Sequence, residues 1–251
     1  MKRALPWITP VLILLAWQFA AVAGWLGAQV MPAPTAVAEA FWRVASNGEL
    51  WRDIQVSTWR AFAGFAIGGG LGFAFGMANG LSDLSEKLTD STLQMVRNIP
   101  HLALIPLVIL WFGIGEEAKL FLVALGVFFP IYINTLHGVR SIDPHLLEMA
   151  RAYGMSRSAT FWRVVFPGAL PSIFVGLRYG LGIMWLTLIV AETISASSGI
   201  GFMAMNAREF MMTDVVVVSI LIYAALGKLA DTVARILERT CLAWNPVYVE
   251  V

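Results

Sequence analysis

Long apolar runs constrain this chain more than any other feature. Stretches such as residues 59–81, 118–136 and 170–193 approach or exceed twenty residues with very few charges. About 20 apolar residues cross the hydrocarbon core of a bilayer. A backbone in lipid must satisfy its own hydrogen bonds, so such runs are expected to be helices. Six runs qualify: 7–26, 59–81, 99–114, 118–136, 170–193, and one that begins at Val215 and fades near 228–234. The third carries Pro100, His101 and Pro106, the fourth Pro130, and the fifth Arg178 and Glu192. The reading is an all-α, polytopic membrane protein with six transmembrane helices, forming a single transmembrane domain over residues 1–251.

Composition agrees. Of the 251 residues 59% are hydrophobic and 13% charged, against about 45–50% and about 25% in ordinary soluble domains. With 17 basic and 16 acidic side chains, a soluble surface could not be covered. A formal net charge of +1 lacks the strongly basic face of a nucleic-acid binder. The lone cysteine, Cys241, allows no internal disulfide and no multi-cysteine metal site. His101, His137 and His145 show no helical metal-ligand spacing, so no metal site is expected. No HExxH motif and no supported Ser/His/Asp arrangement is present. A membrane enzyme is therefore disfavoured.

Six spans place both termini on one side. With the amino terminus inside, ten Lys and Arg residues, Lys2 and Arg3 among them, fall in cytoplasmic segments and three in outer ones. That asymmetry places both termini in the cytoplasm. A rival reading makes the first run a signal peptide cleaved at Ala21-Val22-Ala23. After it, Met31-Pro32-Ala33-Pro34-Thr35 suits an extended start with Thr35 as a helix cap. Phe41, Trp42, Leu50 and Trp51 then suit an amphipathic helix at the interface.

Gly64, Gly68, Gly72, Gly76 and Gly80 recur every four residues in the second run. They share one helix face and allow close approach of another helix, within the subunit or from a second copy. The glycines are no phosphate loop, because the Lys-Ser/Thr ending is missing, and no Walker pattern occurs elsewhere. Arg178 lies about two turns into its span and stays charged in any plausible environment. It is a candidate translocation-pathway group that attracts a passing anion, or else a helix-locking ion pair. Glu192, near the outer end of that span, is a second pathway candidate. Its position also suits a snorkelling carboxylate, and a gating or helix-locking role is the further alternative.

The longest basic loop, about 137–169, is rich in local signals. Asp143 then Pro144 reads as a cap followed by the first helical position. Leu146, Leu147, Ala150 and Tyr153 are expected on one apolar face. Gly154 should end that helix from the C′ position. Ser156 can cap a second helix, which Pro167 is expected to stop. The product is a compact cytoplasmic knob, or an amphipathic loop on lipid headgroups.

Within this loop, Glu148-Met149-Ala150, three residues, Gly154, nine residues, then Val164-x-Phe166-Pro167 resembles the EAA loop of ABC importer permeases. That pattern is Glu-Ala-Ala-x3-Gly-x9-Ile-x-Leu-Pro. Glu148, Ala150, Gly154 and Pro167 match it, while Met149, Val164 and Phe166 depart conservatively. Asn98-Ile99-Pro100-His101-Leu102-Ala103-Leu104-Ile105-Pro106-Leu107, the Trp111-Phe112-Gly113 triplet and Ala191-Glu192-Thr193-Ile194-Ser195-Ala196-Ser197-Ser198-Gly199-Ile200-Gly201 are similar to the branch serving sulfonates, taurine and nitrate. The resemblance implies a type I importer permease fold in a bacterial inner membrane. It implies transport of aliphatic sulfonates, with taurine or nitrate as alternatives. The implied partners are a second permease copy, cytoplasmic ATPase subunits that bind ATP and Mg, and a periplasmic substrate-binding protein. Membrane lipid surrounds the chain, which itself binds no cofactor. Glu148, Ala150, Gly154 and Pro167 would then couple the chain to the ATPase. A secondary transporter or channel is the rival class and would need no ATPase.

Overall fold

A computed structural model describes residues 5–27 and 29–245, with side chains from Ile8 onward. Lys2, Arg3 and both chain ends, on which the expected placement of the termini partly rests, lie outside the described residues. All regular structure among the described residues is helical: α1 Leu5–Val22, α2 Pro34–Ser46, α3 Glu49–Leu81, α4 Asp83–Arg97, α5 Ile105–Phe112, α6 Glu116–Arg140, α7 Pro144–Ala152, α8 Arg157–Thr160, α9 Phe166–Ser195, α10 Ile200–Glu209 and α11 Thr213–Cys241. A tight turn, His101–Leu104, precedes α5. Among the described residues four helical segments are long and apolar enough to cross a membrane: Glu49–Leu81, Glu116–Arg140, Arg157–Ser195 and Thr213–Cys241.

The expected third span takes a different form. It begins earlier, as the pair Asp83–Arg97 and His101–Phe112, bent by 79°. Pro100 stands in the break with extended backbone (φ −62°, ψ 109°), and proline also forces the residue before it out of helical geometry. The expected first span, 7–26, is shorter than read, because α1 ends at Val22 and Gly24 follows with φ +76°.

The chain divides into two compact units, residues 1–58 with 192–225, and 59–191 with 226–251. In the first, α2 buries Val37, Ala40 and Val44 and leaves Trp42 exposed. Thr35 does not cap this helix. Ala33 holds the cap position, and Pro34 brings Thr35 inside the helix. The Thr35 amide instead donates to Gln18 Oε1 of α1 at 3.3 Å.

In the second unit the glycine line settles against α6. A Cβ on Gly68 would stand 2.0 Å from the Ala124 carbonyl oxygen, and one on Gly72 2.4 Å from that of Phe128. Gly64, Gly76 and Gly80 would each meet α6 atoms at 2.7 Å. The five glycines thus pack within the subunit, and only the missing side chains allow α3 and α6 this separation. Beside this seam Met77, Val139, Val165 and Ala169 form a buried cluster, against which Leu147 and Phe161 pack.

Pro167 does not stop the helix after the loop. Residues Arg157–Ser195 run on as one segment. The turn Phe161–Val165 is widened, with the Phe166 amide bonding the Phe161 carbonyl five residues back. A widened turn accommodates a residue that can neither donate nor tolerate a close carbonyl.

Candidate functional site

The expected helix, glycine turn and second helix are present. The Asp143 side chain accepts from the His145 amide at 2.9 Å, and Pro144 opens α7. At the other end Met155 N bonds Ala150 O at 3.0 Å and Gly154 N bonds Arg151 O at 2.9 Å. This is the paired closure of a helix by a left-handed C′ residue, and Gly154 has φ +67°. Ser156 then accepts from the Ala159 amide at 3.2 Å and starts α8. A sharp, doubly capped corner follows from four residues of the right type.

The apolar face divides differently from the expectation. Ala150 is fully buried and Leu147 packs into the core cluster. Leu146, Met149 and Tyr153 point outward, Tyr153 being 80% exposed. Helical periodicity placed Leu146 and Tyr153 with the buried residues, but α7 is a nine-residue helix that buries only a narrow stripe. Trp162 of the widened turn is also exposed. Glu148 sits on the outer side of α7, within 3.8 Å of His145. The corner therefore shows apolar side chains, a carboxylate and a glycine turn with open space around it. Pro167, the fourth motif residue, lies in the first turn of α9.

Glu192 is not a snorkelling carboxylate. It is 1% exposed and accepts from Ser57 Oγ at 2.8–2.9 Å, Tyr223 OH at 2.7 Å and the Gly201 amide at 3.0 Å. Ser57 Oγ accepts in turn from the Ile200 amide at 2.9 Å, and Asp53 from the Gly199 amide at 2.8 Å. Three consecutive amides at the start of α10 are thus satisfied by side chains from α3 and α9. Gly199 at the cap position has no side chain to do this. A negative end group there also complements the helix dipole.

Arg178 is held by α11. Its Nε lies 3.3 Å from Asp231 Oδ1 and its Nη1 3.4 Å from Glu238 Oε2. Arg235 pairs closely with the other oxygen of Asp231. Val175, Arg178, Tyr179 and Asp231 line a cleft of about 370 Å³. These acids and Arg235 extend α11 past the expected fade to Cys241. Charges that end an apolar run in sequence are paired here, so the helix continues.

Sequence reasoning also missed Arg60. It is 2% exposed and grips Glu116 with two bonds, Nε to Oε2 at 2.5 Å and Nη2 to Oε1 at 2.6 Å. Lys119, equally buried, donates to the Gly115 carbonyl at 3.0 Å. The available signal was spacing. Asp53 and Ser57 lie four apart, as do Asp231 and Arg235, and Glu238 falls seven after Asp231, so each set shares a helix face.

Residues 68–241 match the family described as binding-protein-dependent transport system inner membrane component. A relative in Escherichia coli strain K12, named an aliphatic sulfonates transport permease, SsuC, is 61% identical over 98% of this chain and 94% of its own length. A protein of the same name in Bacillus subtilis strain 168 is 44% identical over 96% and 87%. The taurine transport system permease TauC of Escherichia coli strain K12 is 35% identical over 94% and 88%. Among solved structures, an amino acid ABC transporter with histidines matches with a TM-score of 0.61 at 17% identity, covering 80% of this chain and 97% of the other. The methionine ABC transporter MetNI in an inward-facing conformation matches with a TM-score of 0.52 at 19% identity, over 70% and 92%. The architecture is that of a type I importer permease.

Proposed function

The chain belongs to the family of binding-protein-dependent transport system inner membrane components, and from that premise we propose that it is the permease of an ATP-driven importer of aliphatic sulfonates. The knob around Glu148, Ala150 and Gly154 carries this reading. It presents Leu146, Met149 and Tyr153 on a corner fixed at both ends, a surface suited to the cleft of a soluble partner. That partner is a cytoplasmic ATPase subunit, which holds the ATP and Mg. Two permease copies, a bacterial inner membrane, cytoplasmic termini and an outer substrate-binding protein complete the arrangement.

The mechanism is a two-state argument. An ATP-driven shift requires a partner that binds the two states differently. Closure of the ATPase pair moves the corner. The corner passes motion on because Arg157–Ser195 is one continuous segment and because Leu147 and Phe161 join the buried cluster of Met77, Val139 and Ala169. Pro167 belongs to this rigid connection. Arg178 is the pathway group that meets the sulfonate, since it faces a cleft and carries a permanent charge. Glu192 acts on the pathway indirectly, as a positioning residue that fixes the start of α10.

The substrate class follows the names of the relatives that resemble this chain most among those described. Uptake of several labelled alkanesulfonates, taurine and nitrate by the complex reconstituted with its ATPase and binding protein tests it. Alkanesulfonates should be taken up fastest under ATP. Preference for taurine or nitrate would overturn the assignment of substrate.

A further inference from the structure

Arg178 holds two carboxylates loosely. Its contacts to Asp231 and Glu238 are single-point and long, 3.3 and 3.4 Å. A guanidinium has five N–H donors. Those of Arg178 not spent on the two acids, both hydrogens of Nη2 included, meet no acceptor among the described residues. The side chain is 37% exposed beside a cleft of about 370 Å³. Asp231 is simultaneously claimed by Arg235. The four groups are formally neutral together, two positive and two negative.

A pair meant only to lock helices would favour short, two-point contact, as buried Arg60 and half-exposed Glu116 show in this same chain. A bare arginine meant only to attract anions would have no acids on it. The arrangement at Arg178 is intermediate, and transport gives that a purpose. A site in a pathway must bind well enough to be entered and weakly enough to be left.

We propose that Asp231 and Glu238 are built-in competitors for Arg178, which weaken its hold on a passing sulfonate and so speed its release. This rests on the reading of Arg178 as the group that meets the anion. The sulfonate is taken by the free Nη2 edge. The repulsion from two nearby carboxylates caps the affinity, because like charges at short range oppose binding. Asp231 has a second cation in Arg235 to lean toward while the anion passes. The two acids are thus residues that set residence time, and they do so without touching the substrate.

The test uses the complete permease–ATPase complex in phosphatidylcholine nanodiscs. Binding of labelled ethanesulfonate is measured without binding protein, and ATP-driven uptake is measured with it in liposomes. Asp231→Asn and Glu238→Gln should each tighten binding, by about tenfold for loss of one nearby like charge, and should slow maximal uptake several-fold. Asp231→Glu, which keeps the charge, should not tighten binding. Arg178→Ala should abolish binding. A helix-locking role alone would lower uptake without tightening binding. Unchanged or weaker binding in both neutral variants, or loss of assembly in both, overturns the competitor role, while loss of binding in Arg178→Ala leaves the reading of Arg178 standing. Unaltered binding in Arg178→Ala overturns that reading itself. An anionic lipid offers the same oxygen chemistry, so the measurement is repeated with phosphatidylglycerol. Sulfonate binding that survives the lipid supports the proposal, and displacement by the lipid identifies a headgroup site and overturns it.

Discussion

Gly154 is the residue on which the coupling account is most exposed to test. Its φ of +67° is available to glycine and resisted by a β-branched side chain. No atom lies within 4 Å of a Cβ added there, so the cost of Gly154→Val is conformational, about 1–3 kcal/mol, and falls on the corner alone. The variant should assemble with its ATPase yet take up substrate poorly under ATP. Normal ATP-driven uptake by the assembled variant would remove the corner from the mechanism. Glu192 gives a second test. In Glu192→Gln the remaining oxygen can keep Tyr223 and the Gly201 amide, but the new NH2 sets two hydrogens against Ser57 Oγ, which already accepts from the Ile200 amide. An unmet buried donor costs about 1–3 kcal/mol, so the melting temperature of the purified complex should fall by several degrees. An unchanged melting temperature would mean that the carboxylate is not holding α10. At this scale the sequence was a good guide where a residue acts on backbone a few positions away, as Asp143, Gly154 and Ser156 do. It was a poor guide where a charge is satisfied from another helix. Glu192 looked interfacial because Ser57 and Tyr223, far off in sequence, cannot be placed beside it by spacing.

Among the elements, the α3–α6 seam is the most demanding. Gly68→Ala would force a Cβ to within 2.0 Å of the Ala124 carbonyl. Backbone cannot yield as a flexible side chain can, so overpacking of at least about 1–3 kcal/mol follows. Gly70→Ala lies in the same helix but meets nothing within 4 Å. Membrane yield and thermal stability should drop for the first variant and hold for the second, and equal behaviour would dissolve the seam. The four-residue period made a close-packed face legible in advance. It could not say which helix the face meets, because a second copy would serve equally well. The boundaries of elements were legible where composition changes and misleading where proline or charge suggested an ending. Pro167 is absorbed by the widened turn before it. Asp231, Arg235 and Glu238 are neutralised in pairs with Arg178 and one another, so α11 carries on. The bend at Asn98-Ile99-Pro100 had a sequence signal in Pro100, yet α4 before it reads as a polar segment rather than as part of a span.

For the molecule as a whole, the apolar runs pointed to an all-helical membrane protein, since about twenty consecutive apolar residues suit a spanning helix and not the alternating strands of a barrel. What such a protein does came from elsewhere: a short helical corner whose caps can be read residue by residue, and a match of residues 68–241 to an inner-membrane transport family. Under the proposed function this chain is a passive gate that becomes a pump only through a partner. It carries no nucleotide loop, and its corner has a shape suited to transmitting an external push. A channel or secondary transporter would share the helices, the glycine seam and the paired charges. It would have no need for a doubly capped corner with Met149 and Tyr153 facing out. The direct measurement is sulfonate entry into liposomes holding the purified chain alone, compared with liposomes holding it with its ATPase, its binding protein and ATP. The account predicts accumulation only in the second, abolished when ATP is withheld. Equal entry in the first, with no ATPase present, would contradict it.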